Sequence, residues 1–171
     1  INQTEKEEQQ RQQKETKLKE EFEKNKQIER ILVGLDQQAT YKLYCEKFLR
    51  NLSKEFEIVQ GLFYMREGQS KHYKMVANYA FYSEREPREF EFGEGLTGQV
   101  AKNKKLIYID NIPDDYITVL SGLGSSSPKF LVIFPILYRD ESVAIVEIAS
   151  FNPIDEKGRD VLDGITNMVG P

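Results

Sequence analysis

A glycine triplet, one cysteine, one histidine and a few carboxylates are the places where this sequence could do chemistry. Gly93-Glu94-Gly95-Leu96-Thr97-Gly98 has the G-x-G-x-x-G spacing with which a strand-to-helix turn cradles a pyrophosphate. Asp110 even follows at the end of a later strand, where a ribose-binding acid would stand. The context argues against that chemistry. The helix after the turn has room for only about eight residues, too few for a crossover, and no further strand–helix–strand units follow. Cys45 and His72 are alone of their kind, so neither a disulfide, a Cys/His zinc site nor a Ser/His/Asp triad can be assembled. Asp114-Asp115 and Asp140-Glu141 are paired carboxylates in expected loops, which favours solvated surface. Asp110 reads as a strand-end residue ahead of a metal ligand. Glu147 lies in the middle of an apolar strand. Pointing out of the core is the favoured reading; if buried, it needs a partner or a raised pKa. No catalytic residue and no metal ligand is assigned.

These residues need elements to hold them. Residues 2–33 contain neither Gly nor Pro and are dominated by Glu, Lys, Gln and Arg, which predicts a long polar helix. Glu15–Lys19 and Glu20–Lys24 are spaced to support it. A sparse apolar stripe at Leu18, Phe22, Ile28, Leu32 and Leu35 runs along one face. Asn25 and Glu29 interrupt any strict heptad. Because the stripe strengthens toward the rest of the chain, a dimerising, signal-carrying helix is favoured over a solvated tail. The helix is expected to continue through residues 37–52, with Gly34 marking a bend. Strands are expected at Ile58–Arg66 and Tyr73–Phe81 around a turn at 67–70, with Tyr73, Met75, Ala77, Tyr79 and Phe81 on one face. A short strand at 90–92, a short helix ending near Asn103 and a strand from Leu106 to Asp110 follow. Residues 116–123 read as a short helix or irregular segment. Phe130–Tyr138 and Ser142–Ser150 form a second hairpin, and an amphipathic helix runs from Asp155 to Met168. Adjacent hairpins with terminal helices indicate an α+β antiparallel sheet.

The bulk properties narrow the classes. The 171 residues are 39% hydrophobic and 30% charged with a net charge of −4, so the concentrated basic face of a nucleic-acid binder is missing. Composition divides the chain into a polar helical linker at 1–30 and a compact domain at 31–171. About 140 residues suffice to bury two-thirds of the unfolded surface. No run of about 20 apolar residues and no signal peptide is found, so no membrane span is expected within the sequence. A lone cysteine suits the cytoplasm, including the cytoplasmic part of a membrane-anchored protein. The absence of an initial Met and the abrupt end at Gly170-Pro171 suggest a piece of a larger polypeptide.

One resemblance gathers these features. Gly93–Ala101, followed by Leu106-Ile107-Tyr108-Ile109-Asp110-Asn111, closely resembles the central signature of GAF domains. Pro128–Ile136 is similar to that family's Pro-bearing strand, and Val143–Ser150 to its final core strand. The three segments occur in order and the likeness covers residues 30–170. It implies a GAF-like (PAS-like) antiparallel sheet with terminal helices on one face and a ligand cavity on the other. It also implies a sensory role beside other domains of the same polypeptide, with bacterial histidine kinases as the nearest setting. A homodimer through the N- and C-terminal helices is expected. The ligand cavity is expected between the strand bearing Tyr108 and Asp110, the segment with Tyr116, Leu120, Ser121 and Leu123, and the strands bearing Phe134 and Glu147. The same side chains could instead simply fill the fold, leaving a ligand-free dimerisation spacer as the alternative.

Several ligands of that family fit poorly. Five residues separate Phe134 from Asp140-Glu141, where cyclic-nucleotide binders have three. Bilin attachment, haem ligation and methionine sulfoxide reduction each need Cys or His residues that one Cys and one His, so placed, do not supply. The sequence names no cofactor.

Overall fold

The computed structural model describes residues 2–81, 88–112, 119–121 and 124–167, with 119–121 and 124–126 as backbone. Helix α1 (Gln3–Leu32) leads through a 3₁₀ turn (Leu35–Gln37) to α2 (Tyr41–Glu55). Strands β1 (Ile58–Arg66), β2 (His72–Tyr79) and β3 (Glu89–Glu91) precede α3 (Gly95–Asn103) and β4 (Ile107–Ile109). Two short strands, β5 (Val119–Ser121) and β6 (Gly124–Ser126), are followed by β7 (Phe130–Tyr138), β8 (Glu141–Ser150) and α4 (Glu156–Ile165). The six-stranded sheet has the order β3-β2-β1-β8-β7-β4, with antiparallel pairing throughout. The α+β architecture expected from the sequence is therefore present.

Helix α1 starts at Asn2, whose side chain accepts from the Glu5 amide at 2.9 Å. Its 30 residues span about 45 Å. Residues 2–23 are exposed, while Ile28 and Ile31 are buried. The expected continuous helix through residue 52 does not form. Gly34 adopts φ +75°, a left-handed conformation that ends helices and suits glycine, and Thr40 then caps α2 by accepting from the Leu43 amide at 3.2 Å. Chain reversal at Gly34 folds α2 back beside α1.

The sheet separates two apolar layers. On one side Ile28 and Ile31 of α1, Phe48, Leu49 and Leu52 of α2, and Val161, Leu162 and Ile165 of α4 pack on Val132, Phe134, Val146 and Ile148. Each fully buried side chain of this size stabilises by about 1.5–3 kcal/mol relative to exposure. On the other side Val100 and Ala101 of α3 pack with Leu62, Tyr64, Tyr73, Phe90, Leu131, Ile133 and Ile145.

Three register shifts decide which residues share a face, the first at Val59 between β1 and β8, which leaves Ile58 on the side of the long helices and Leu62 and Tyr64 on the α3 side. Between β1 and β2, Phe63 pairs with Ala77 but Tyr64 with Met75, leaving Val76 as an extra residue. Tyr73 and Met75 consequently belong to the α3 side, and Ala77 and Tyr79 to the side of the long helices. The strict alternation expected for β2 is broken there, because a bulge puts two residues of one strand opposite one of the other. The β7–β8 hairpin turns through Arg139 (φ 50°) and Asp140 (φ 62°), a two-residue reversal with both φ positive. Its register then slips by one at Val143, so Ile136 pairs with Ala144 while Leu137 pairs with Ser142. Residues 119–121 and 124–126 pair as a hairpin, where the sequence suggested a short helix or irregular segment up to residue 123 and a flexible loop over 124–128.

Candidate functional site

The sheet face under α3 is where an unusual side chain is held. Glu147 sits in β8, one of the two central strands, flanked across the ladders by Leu62 of β1 and Ile133 of β7. It is only 2% exposed. The Tyr64 hydroxyl donates to Glu147 Oε2 at 3.3 Å. The sequence favours an acid that points out of the core; the register instead places it on the interior, α3-covered face.

Aromatic rings extend from that pair toward the sheet edge. Tyr64 meets Phe90 edge-to-face with centroids 5.0 Å apart, and Phe90 stacks on Tyr73 at 4.8 Å with 4° between planes. The Tyr73 hydroxyl donates to the Ser142 carbonyl at 2.5 Å, and Ser142 Oγ donates to the Ala101 carbonyl at 2.7 Å. Burial, foremost, raises the Tyr73 phenol above its ordinary pKa, which keeps it a donor. This relay fixes the C-terminal part of α3 against the start of β8.

The glycine turn before α3 is occupied with itself. A Cβ on Gly98 would lie 2.6 Å from the Glu91 carbonyl oxygen and 2.9 Å from the Gly93 carbonyl carbon. The chain closes that tightly because the Gly93 amide donates to the Gly98 carbonyl at 2.9 Å and Gln99 Nε2 donates to the Gly93 carbonyl at 2.8 Å. Glu94 Oε2 accepts from the Glu91 amide at 3.0 Å. The G-x-G-x-x-G spacing serves close packing of α3 on β3.

The residues expected to line one cavity are divided by the sheet. Phe134 is buried on the side of the long helices, as is the half-buried Tyr108. Tyr108 acts as a clamp: the Arg159 guanidinium lies 4.4 Å over its ring, Phe130 stacks at 6.3 Å on 9°, and its hydroxyl accepts from the Ile154 amide at 3.3 Å. Asp110 is exposed beyond the end of β4. Leu120 and Ser121 are in β5, opposite Ser125 and Gly124, and Tyr116 and Leu123 lie outside the described residues. Phe134 and Glu147 part company because of the slip at Val143. An unbroken ladder from the Tyr138–Glu141 pair would put Phe134 opposite Ile145, on Glu147's face; the slip puts it opposite Val146. Tyr64, Tyr73 and Phe90 were missed as site residues, although the alternation Leu62–Tyr64 in β1 was available as a signal.

The proposed dimer stripe divides too. Ile28 and Leu35 are core residues and Leu32 is half-buried, whereas Leu18 and Phe22 are 63% and 62% exposed. Cys45, on α2, is 1% exposed beneath the long-helix layer, and desolvation, with a smaller contribution from Glu46, pushes its thiol up to about 12. His72 is held by Glu91 Oε1 at 2.6 Å and Glu89 Oε2 at 3.2 Å along the β2–β3 edge. Among the described residues no group of three or more His, Cys, Asp or Glu is arranged to hold a metal ion, and no helix is long and apolar enough to cross a membrane.

Comparison with known proteins follows the same lines. The family model described as GAF domain matches residues 35–170. No curated protein sequence matches the chain. Among solved structures, the GAF domain of a phosphoenolpyruvate-protein phosphotransferase from Coxiella burnetii superposes with a TM-score of 0.69 at 15% identity, covering 85% of this chain and 89% of that one. The nlh2 GAF domain of A. aeolicus in an inactive state gives 0.63 at 22% identity over 90% and 94%. A free methionine-R-sulfoxide reductase from Neisseria meningitidis, in complex with its substrate, gives 0.64 at 14% identity over 84% and 83%. At these identities the likeness is one of fold.

Proposed function

The chain belongs to the GAF domain family, a family of regulatory and sensory domains, and from that premise we propose that it senses a small molecule within a bacterial signalling protein, a histidine kinase being the favoured setting. The ligand is held on the α3-covered face, with Glu147 as the polar group that orients it. The observation carrying this reading is the burial of Glu147 in a central strand beside the Tyr64 hydroxyl. A buried carboxylate is costly to retain for packing alone, whereas a few placed polar groups in an apolar wall are what a ligand site requires.

The response leaves through the helices. Ile28 of α1 packs against α4 at Gly164, so an altered packing of one helix is felt by the other. A ligand that favours one of two such packings shifts their populations. In this reading the module acts as a homodimer in the cytoplasm, beside other domains of its polypeptide. A binding role is favoured over sulfoxide reduction by Cys45, whose thiol is buried, protonated and on the far side of the sheet from Glu147. The interlocked rings of Tyr64, Phe90 and Tyr73 favour a second reading, a ligand-free spacer whose side chains fill the site.

Native mass spectrometry of the purified protein, followed by denaturation and mass analysis of released species, separates the two. A near-stoichiometric small molecule that is lost in folded Glu147→Gln supports sensing. Protein that is ligand-free and gains no thermal stability from a panel of amino acids, organic acids and nucleotides supports the spacer.

A further inference from the structure

Leu18 and Phe22 lie one turn apart on α1 and are largely exposed. Lys17, Glu20, Lys24 and Gln27 of the same helix lie toward Lys157 and Asp160 of α4. At 3.6 residues per turn, Leu18, Phe22, Asn25 and Glu29 emerge roughly 140° round the helix from that side, facing away from the domain. The same alternating three- and four-residue steps extend this stripe to Glu15, Arg11 and Glu8 in one direction. In the other they end at Leu32, beside the 61% exposed Val33. There an open hollow of about 490 Å³ lies among Asn25, Glu29, Val33 and Asp36.

We propose that a second copy of this chain docks on this stripe in antiparallel orientation, Leu18 against Phe22 of the second copy and Arg11 against Glu29 of the second copy. The inference rests on the homodimer reading above and adds its geometry. Both orientations bury Leu18 and Phe22 of each copy; a parallel pair would add Leu32 against Leu32, but Leu32 is already half-buried on its own domain, so the charged positions decide. A parallel, in-register pair sets Glu8, Arg11, Glu15 and Glu29 each against itself, four like-charge contacts along one seam. The antiparallel pair replaces these with two symmetry-related Arg11–Glu29 attractions, Glu15 opposite Asn25 and Glu8 opposite Leu32. Glu29 remains available for this, since its ion pair with Lys26 at 3.5 Å leaves its side chain 68% exposed. Lys19 opposite Lys19 and Glu21 opposite Glu21 fall on the solvated flanks, where salt screens them over about 8 Å. The face turned outward leaves the domains clear of each other's core.

The test uses the full chain in two variants, Arg11→Cys and Glu29→Cys, oxidised separately and mixed. Native Cys45 is buried and stays out of the exchange. Antiparallel docking gives a cross-link between the two variants and none within either, because identical positions stand about 27 Å apart along the axis. Cross-links within each variant alone overturn the orientation and leave the homodimer standing. A monomer at all concentrations in sedimentation, with no cross-link, overturns both. As a second readout, Arg11→Glu should weaken self-association about fivefold and Arg11→Glu/Glu29→Arg should restore it to within about twofold. Two unchanged dissociation constants would count for the parallel pair.

Discussion

Asn51, in the middle of α2, donates its side-chain amide to the carbonyl of Ile31 in α1 at 2.8 Å. The same nitrogen reaches the Val33 carbonyl at 3.1 Å. A helix leaves its last carbonyls without intrahelical donors, and here a buried amide from the neighbouring helix supplies what the interrupted backbone does not. Asn51 thus ties the end of the long helix to the domain.

Removing that tie should be costly. Asn51→Ala leaves buried carbonyls without a donor and is expected to lower unfolding free energy by about 1–3 kcal/mol. Urea titration followed by circular dichroism measures the loss. A midpoint equal to that of the wild-type protein would mean that water replaces the amide without penalty.

Cys45 should be inert. With its thiol pushed up to about 12, almost no thiolate exists at pH 8, and the side chain is shielded by the helices. A chromogenic disulfide reagent is expected to label no thiol in native protein over hours and one per chain in denaturant. Rapid native labelling would show that α1 and α2 open readily.

His72 offers a pH readout that needs no assignment, since it is the chain's one histidine. Its hydrogen bond to Glu91 is the main cause that raises its pKa; partial desolvation opposes this, and Glu89 adds to the rise. A group whose folded pKa is raised stabilises fully below its unfolded value of about 6.5 and loses that contribution as pH rises through the folded value. Imidazole NMR shifts are expected to titrate above the value of an unfolded histidine in wild type and to move back toward it in Glu91→Gln. An unmoved midpoint would show that the Glu91 contact is absent in solution.

Thr166 carries a buried hydroxyl with no hydrogen-bond partner among the described residues, while its backbone carbonyl accepts from the Leu137 amide at 2.9 Å. Thr166→Val keeps the shape and the backbone contact and removes the unsatisfied group. Thermal unfolding should show a gain of up to about 1 kcal/mol. A loss of that size would instead reveal a partner for the hydroxyl.

Much of this architecture was legible from residues. The polar run of α1, the β7–β8 hairpin around Arg139-Asp140 and the amphipathic α4 follow from composition, turn chemistry and periodicity. The shortness of the helix after the glycine turn was also legible, α3 having nine residues. The site was only partly legible. Glu147 was singled out because an acid interrupts an apolar strand, but its companions were not. A slip of one residue at Val143 reassigns Phe134, and the extra Val76 reassigns half of β2. Such bulges answer to tertiary twist and leave no composition signal. Tyr108 illustrates the ambiguity, since aromatic rings serve binding and packing alike; its place between the Arg159 guanidinium and the Phe130 ring is set by tertiary contacts that no sequence pattern announces.

The strand order has a temporal consequence. β1 lies against β8, pairing Ile58 with Ser150 and Met65 with Ala144, so the centre of the sheet joins segments from opposite ends of the domain. During synthesis β1 and β2 emerge well before β8 exists, and β1 keeps a bare edge until the last strand arrives. Contacts this distant in sequence slow folding, and an unpaired edge in the interval invites association with other nascent chains. Chains interrupted before Glu141 would leave both β1 and β7 without their shared neighbour. The domain is therefore committed late, at the moment its penultimate element is delivered.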